Sequence, residues 1–212
     1  MTKRSTRSKV RFEVRSDCTY IAFYKPYAVL CQFTKPEGSD KETLANFRLP
    51  KSVYPIGRLD FDSEGLLLLS DDPSLNHALL DPSYAHERIY LAQVENIPGS
   101  AELNKLANGV PVEGRLTAPA KVRLLQEEPA LPSRAIPIRF RKNIPTAWIE
   151  LKLIEGRNRQ VRKMTASVGH PTLRLVRIAI GSLKLIGLGL TPGQWCKLSP
   201  MELSLAFERA GG

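Results

Sequence analysis

The stretch Gly57-Arg58-Leu59-Asp60-Phe61-Asp62-Ser63-Glu64-Gly65-Leu66-Leu67-Leu68-Leu69-Ser70-Asp71-Asp72-Pro73 says most about how this chain folds. Leu66, Leu67, Leu68 and Leu69 form a short unbroken apolar run, and Ser70-Asp71-Asp72-Pro73 closes it with turn chemistry. Four apolar residues in a row leave no polar face, so the run suits a strand covered on both sides. A helix is expected after it, over 74–80. Upstream, Arg58 and Asp60 stand two apart, which places them on one face of an extended backbone. A carboxylate there can act as nucleophile or base if a cation holds its charged form. An isolated Arg-x-Asp is equally a surface pair in a turn, so the pattern needs support from elsewhere in the chain.

Working outward, residues 19–24 (TYIAFY) read as a strand stopped at Lys25-Pro26, and 88–95 (RIYLAQVE) as a strand by its alternation. Further strands are expected at 121–126, 146–154, 173–180 and 194–198. Residues 98–108 read as a helix ended by Gly109. Residues 158–168 read as another: Asn158 is placed to cap it, Val161, Met164 and Val168 form an apolar stripe, and Gly169 ends it. Residues 127–145 hold four prolines and little periodicity, which indicates an irregular basic loop. Strands and helices mix without regular βαβ alternation, so the class is α+β with a mixed, mostly antiparallel sheet.

With 212 residues the chain is sized for one domain, and it can bury roughly 70% of its extended surface. Thirty-one Lys and Arg against 21 Asp and Glu leave a charge of +10, which points to a polyanionic partner. The charge is concentrated. Residues 134–177 contain eleven Lys and Arg, including Arg139, Arg141, Lys142, Arg157, Arg159, Arg162 and Lys163, against Glu150 and Glu155 alone. Residues 1–11 add five more basic residues and no acid, and 1–17 read as a flexible arm ahead of a single domain over 18–207. Such clustering is the footprint expected of a nucleic-acid-binding face. Three cysteines without a CxxC pair fit free thiols in a reducing compartment, and three histidines without paired spacing offer no metal site. Neither a membrane span nor a signal peptide is readable, so a cytoplasmic protein is expected.

A second informative stretch is Glu155-Gly156-Arg157-Asn158-Arg159-Gln160-Val161-Arg162-Lys163-Met164. It joins a glycine turn to a strongly basic first helical turn. Cations there oppose the helix dipole and cost a few tenths of a kcal/mol or more, which suggests a purpose. A helix N-terminus attracts anions, and arginine adds bidentate donors.

Together these motifs resemble those of the RsuA family of RNA pseudouridine synthases. Lys25-Pro26-Tyr27-Ala28-Val29-Leu30, GRLD at 57–60 followed by D-S-x-G-L-L-L-L, Arg88-Ile89-Tyr90 and EGRNRQVRKM stand in that family's order, across residues 24–181. Each is weak alone; the ordered set is specific. The segments 141–148 and 155–177 are similar to those of the family's members that act on 23S rRNA. The resemblance implies that family's fold, a curved mixed sheet flanked by helices with a central cleft. It implies Asp60 as the catalytic aspartate, Arg58 as the residue that displaces the target nucleotide, and Tyr90 as the ring that stacks on its base. Arg162 would pair with Asp60, with Arg157 as its rival, and Leu59 and Lys25-Pro26 would shape the pocket. RNA docking would fall on the arm, on the loop around Arg139, Arg141 and Lys142, and on Arg157, Arg159 and Lys163. The implied partners are 23S rRNA or an assembly intermediate of the large ribosomal particle, bound by a monomer with no membrane.

The chemistry agrees with these roles. Isomerising uridine moves no electrons to an acceptor and cleaves no phosphate, so the expectation is an enzyme without cofactor or metal. A base in folded RNA must first be extruded, at a few kcal/mol. A basic surface and a stacking aromatic offset that cost. The same chemistry on 16S rRNA or tRNA, and a non-catalytic role in ribosome assembly, are the alternatives. The chain departs from most relatives in having only about 18 residues before its first strand, too few for the usual S4-type RNA-binding domain. Arg88 stands where lysine is commoner.

Overall fold

A computed structural model describes residues 12–138 and 144–208. Its main elements in chain order are β1 (Tyr20–Lys25), β2 (Glu64–Ser70), α1 (Pro73–Leu80), β3 (Arg88–Glu95) and α2 (Ser100–Asn108). Then follow β4 (Lys121–Leu124), β5 (Thr146–Leu153), α3 (Gln160–Ser167), β6 (Thr172–Ile180), β7 (Trp195–Lys197) and α4 (Pro200–Leu205). The main sheet runs β7-β1-β2-β6-β3-β5-β4. Its pairings are antiparallel except for a parallel seam, β2 against β6, which holds through Glu64↔Val176 and Gly65↔Arg177. The class is α+β, as expected.

Every residue of β2 is buried. Leu66 and Leu68 join one core with Tyr20, Ala22 and Tyr24, while Leu67 and Leu69 join another with Ile21 and Phe23. The unbroken leucine run therefore reflects a strand covered on both faces. A third core, under β3, β5 and β6, includes Ala92, Val94, Ile149, Leu151 and Met164. Gly65 is required at the seam. Its φ is +108°, and a Cβ there would lie 2.2 Å from the carbonyl oxygen of Arg177.

The turn after β2 uses each of its polar residues. Ser70 Oγ donates to the Thr19 carbonyl at 2.8 Å, and Asp71 accepts from the Thr19 amide at 2.6 Å. Asp72 caps α1 by accepting from Ser74, and Tyr20 Oη donates to its other oxygen at 2.7 Å.

Several expectations are corrected. α3 begins at Gln160, not Asn158, and its N-cap Arg159 has a left-handed backbone with φ 50°. Asn158 caps nothing and accepts from Lys163. Gln160 serves the turn instead: its Oε1 accepts from the Arg157 amide at 2.9 Å. Residues 12–17, assigned to the arm, pack on the domain. Phe12 stacks on Phe207 with centroids 5.0 Å apart, and the Arg15 amide donates to Tyr20 Oη. The basic cluster of 134–177 is not all surface, because Arg174 and Arg177 are buried. α4 is not among the expected helices, although Ser199-Pro200-Met201-Glu202 is a capping box before an apolar turn. Among the described residues no helix is long and apolar enough to cross a membrane.

Candidate active site

Asp60 lies in a turn before β2, closed by the Ser63 amide donating to the Asp60 carbonyl at 3.1 Å. It is not on a strand, yet the alternation read from sequence survives: Arg58 is exposed, Leu59 buried and Asp60 half-buried. Leu59 packs into the core with Leu67 and Tyr90, which pins the loop. Arg58, Leu59, Asp60 and Tyr90 line a cleft of about 720 Å³ with Arg88, Arg157, Arg159 and Arg177. Tyr90 sits in the middle of the sheet, opposite Leu151 on β5 and Arg177 on β6, with its ring packed against two of the cores.

The cations around Asp60 are arranged differently from the sequence reading. Arg159, not Arg162, approaches it, with Nη1 at 3.8 Å from Oδ2. The main attachment of Arg159 is to Asp62, through two hydrogen bonds of 2.8 Å. Arg162 donates to the Asp62 carbonyl at 2.6 Å and to the Thr172 carbonyl at 3.1 Å, with its Nε 3.4 Å from Asp62 Oδ2. The left-handed backbone at Arg159 turns its guanidinium towards the Asp60 loop, while Arg162, one turn into α3, meets the loop backbone. Burial pushes the Asp62 carboxyl up, but the hydrogen bonds from Arg159 and the charges of Arg162 and Arg159 outweigh it and leave its pKa lowered. This clamp therefore contributes stability at neutral pH and loses it as pH falls through the ordinary carboxylate range and below. Asp62→Asn should flatten that acid dependence in denaturant titrations between about pH 6 and 3.

Glu64 is excluded as a second acid or base. It is 2% exposed and paired with Arg174 through bonds of 2.9 and 2.8 Å. Arg174 also donates to the Pro132 carbonyl at 2.8 Å, and Arg134 lies 3.8 Å over the Tyr27 ring. Residues 132–134 of the proline-rich stretch are thus fastened beside the Asp60 segment.

A family model described as RNA pseudouridylate synthase matches residues 19–167. The chain belongs to that family. The synthase is 53% identical over 171 residues to ribosomal large subunit pseudouridine synthase E of Xanthomonas campestris pv. campestris, covering 81% of this chain and 90% of the relative. The same-named protein of Vibrio vulnificus is 48% identical, covering 84% and 74%. A crystal structure of a pseudouridylate synthase superposes with a TM-score of 0.73 at 25% identity, covering 90% of this chain and 74% of that one. The synthase is accordingly an isomerase that converts uridine in RNA to pseudouridine.

Other expected site residues also make contacts that hold the fold of the synthase. Lys25, expected to shape the pocket with Pro26, is wholly buried and donates to the carbonyls of Ser63 at 2.8 Å and Pro26 at 3.0 Å. It supports the Asp60 loop from beneath. Burial pushes its pKa down to about 8. The unfolded chain holds that proton up to the ordinary lysine range, so stability should rise with pH between about 8 and 10.5. Lys25→Met should remove that rise in denaturant titrations. Arg157 donates to the carbonyls of Val112 and Arg115, and Lys163 Nζ lies 2.6 Å from Glu113. Both fasten a small hairpin, Pro111–Val112 with Arg115–Leu116, that sequence reading missed. Lys163→Ala should cost no more than about 1 kcal/mol, since its partner is exposed. Arg139, Arg141 and Lys142 lie outside the described residues. Trp148 is core, and His86 and His170 are tied to the carbonyls of Ala78 and Glu95.

Proposed function

We propose that the synthase isomerises a specific uridine of 23S rRNA, in the cytoplasm and as a monomer, with Asp60 as the catalytic carboxylate. The observation that carries this is the meeting of Asp60, Arg159 and Tyr90 in one cleft on a strongly basic chain. The names of the relatives, which specify the larger ribosomal particle, support the choice of RNA. The target base, extruded from its helix, stacks on Tyr90. Arg58, exposed at the cleft, fills the vacated place in the RNA. Asp60, with Arg159 Nη1 3.8 Å from its Oδ2, acts at the sugar or the base. C5 then bonds to C1′ and its hydrogen departs as a proton. An assembly intermediate of the large ribosomal particle, with its rRNA still open, is the form on which extrusion costs least.

The test is tritium release from [5-³H]uridine-labelled, deproteinised 23S rRNA. Release from that RNA, with none from 16S rRNA or tRNA, is expected. Release from 16S rRNA or tRNA alone would overturn the choice of substrate. Removing residues 1–11 should weaken RNA binding chiefly at low salt. Five basic residues are lost, so the slope of log Kd against log salt should shrink by up to about four. A salt-independent effect would contradict an electrostatic arm.

A further inference from the structure

The floor of the cleft holds two guanidinium groups to which the proposed mechanism gives no task. Arg177 lies opposite Tyr90 in the β6–β3 pairing. Arg88 precedes Tyr90 by two residues on β3, so the three side chains leave the sheet on one face. Both arginines line the cleft that holds Asp60. Arg177 is 4% exposed; its Nε donates to the Leu66 carbonyl at 2.7 Å, while its Nη2 is shielded from solvent and has no acceptor. Arg88 donates to the Leu79 carbonyl at 3.1 Å. Among the described residues neither meets a carboxylate, whereas Arg174, at 8% exposure, is matched by Glu64. Burial lowers the Arg88 pKa; the neighbouring Tyr90 hydroxyl opposes that shift, and the charge of Arg177 adds to it. Two cations without a carboxylate partner on one face of the sheet are costly, and a negative ligand at that place offsets the cost. The depth of Arg177 does not suit a phosphodiester, which stays joined to the strand outside. It suits a pyrimidine ring.

We propose that Arg88 and Arg177 are catalytic residues that hold the negative charge borne by the pyrimidine during the isomerisation. The assignment rests on the function proposed above, but not on which atom Asp60 engages. If Asp60 attacks C1′, a C1′–O bond forms as C1′–N1 breaks, and both electrons leave with the base. If Asp60 takes the 2′ proton, a C1′=C2′ bond forms and the base departs as the same anion. If Asp60 adds to C6, the C5=C6 pair moves onto C5 and the carbonyl at C4. In the first two cases the ring carries one negative charge over N1 and its carbonyl oxygens; in the third it lies over C5 and the C4 carbonyl and passes to N1 as C5 displaces it from C1′. When the C5–C1′ bond forms, the C1′–O bond breaks in the first case, Asp60 returns its proton to C2′ in the second, and the C6–O bond breaks in the third; N1 gains a proton and H5 leaves as a proton. Guanidiniums fixed in a shielded site stabilise such a charge without reorganising.

The test compares wild type, Arg88→Gln and Arg177→Gln on 23S rRNA transcripts made with uridine or with 5-fluorouridine. Conversion is followed by chromatography of the digested nucleosides, as pseudouridine from uridine and, from 5-fluorouridine, as the C5-linked product that keeps its fluorine and takes up water at C6. Each variant should lose about 100-fold in kcat on uridine, with RNA Kd changed less than about threefold. Fluorine makes the pyrimidine anion more stable on its own. The same variants should therefore lose only about tenfold on the 5-fluorouridine transcript. Equal losses on both transcripts, or a loss carried wholly by Kd, would overturn the proposal. Arg88→Gln decides the matter if Arg177→Gln does not fold, because Arg88 is only partly buried. Absence of conversion by wild type would count against the substrate assignment instead, so the two failures are separable.

Discussion

Asp60→Asn should lower pseudouridine formation by on the order of 10⁴-fold while RNA binding stays within about threefold. The substitution keeps size and polarity and removes only the charge. Asp60 is half-buried, and its neighbours Leu59 and Ser63 are held by packing and by Lys25, so the loop has no reason to move. Asparagine can neither attack carbon nor take a proton at neutral pH. Tritium release and filter binding on the same preparations separate the two effects. Turnover within about tenfold of wild type would remove Asp60 from the catalytic role.

Glu64→Gln should cost about 3–5 kcal/mol of stability, because it leaves the Arg174 guanidinium charged in a site 8% exposed. In a domain of this size that lowers the melting temperature by roughly 10 °C. The pair spans 110 residues of sequence and joins β2 to β6 beside the parallel seam. The double variant Glu64→Gln/Arg174→Met should recover much of the loss, since it removes the stranded charge. Thermal unfolding of the two single variants and the double variant measures this coupling. Strictly additive losses would mean that the two side chains act independently.

The strands and the Asp60 loop are legible in the sequence, because a buried strand and a turn before it are local patterns. The bounds of β3 can be read from its polar–apolar alternation, although the strand buries Ile89 and Leu91 on one face and Ala92 and Val94 on the other. The partners of the arginines are not legible. Which carboxylate Arg159 or Arg162 meets depends on how α3 lies against a loop about 100 residues earlier, and no local pattern encodes that. Lys25 and Arg174 look like surface cations by type, yet each is buried because tertiary structure supplies carbonyl or carboxylate acceptors. The Asn158 cap fails for a related reason: Gln160 and the left-handed Arg159 supply the turn instead. Arg88 and Arg177 emerge as a pair only once the strands are placed in register.

The seam between β2 and β6 also sets the order in which the molecule becomes competent. Asp60 is made early, but its clamp Arg159 comes 97 residues after Asp62, and the strand that closes the cleft floor ends only at Ile180. Contacts of such separation form late, because the loop they close must be ordered first. A nascent chain that has emerged only as far as β5 holds Asp60 without Arg159 beside it and without the β6 side of the cleft. An RNA-modifying enzyme built this way has a complete cleft only once nearly the whole domain has left the exit tunnel.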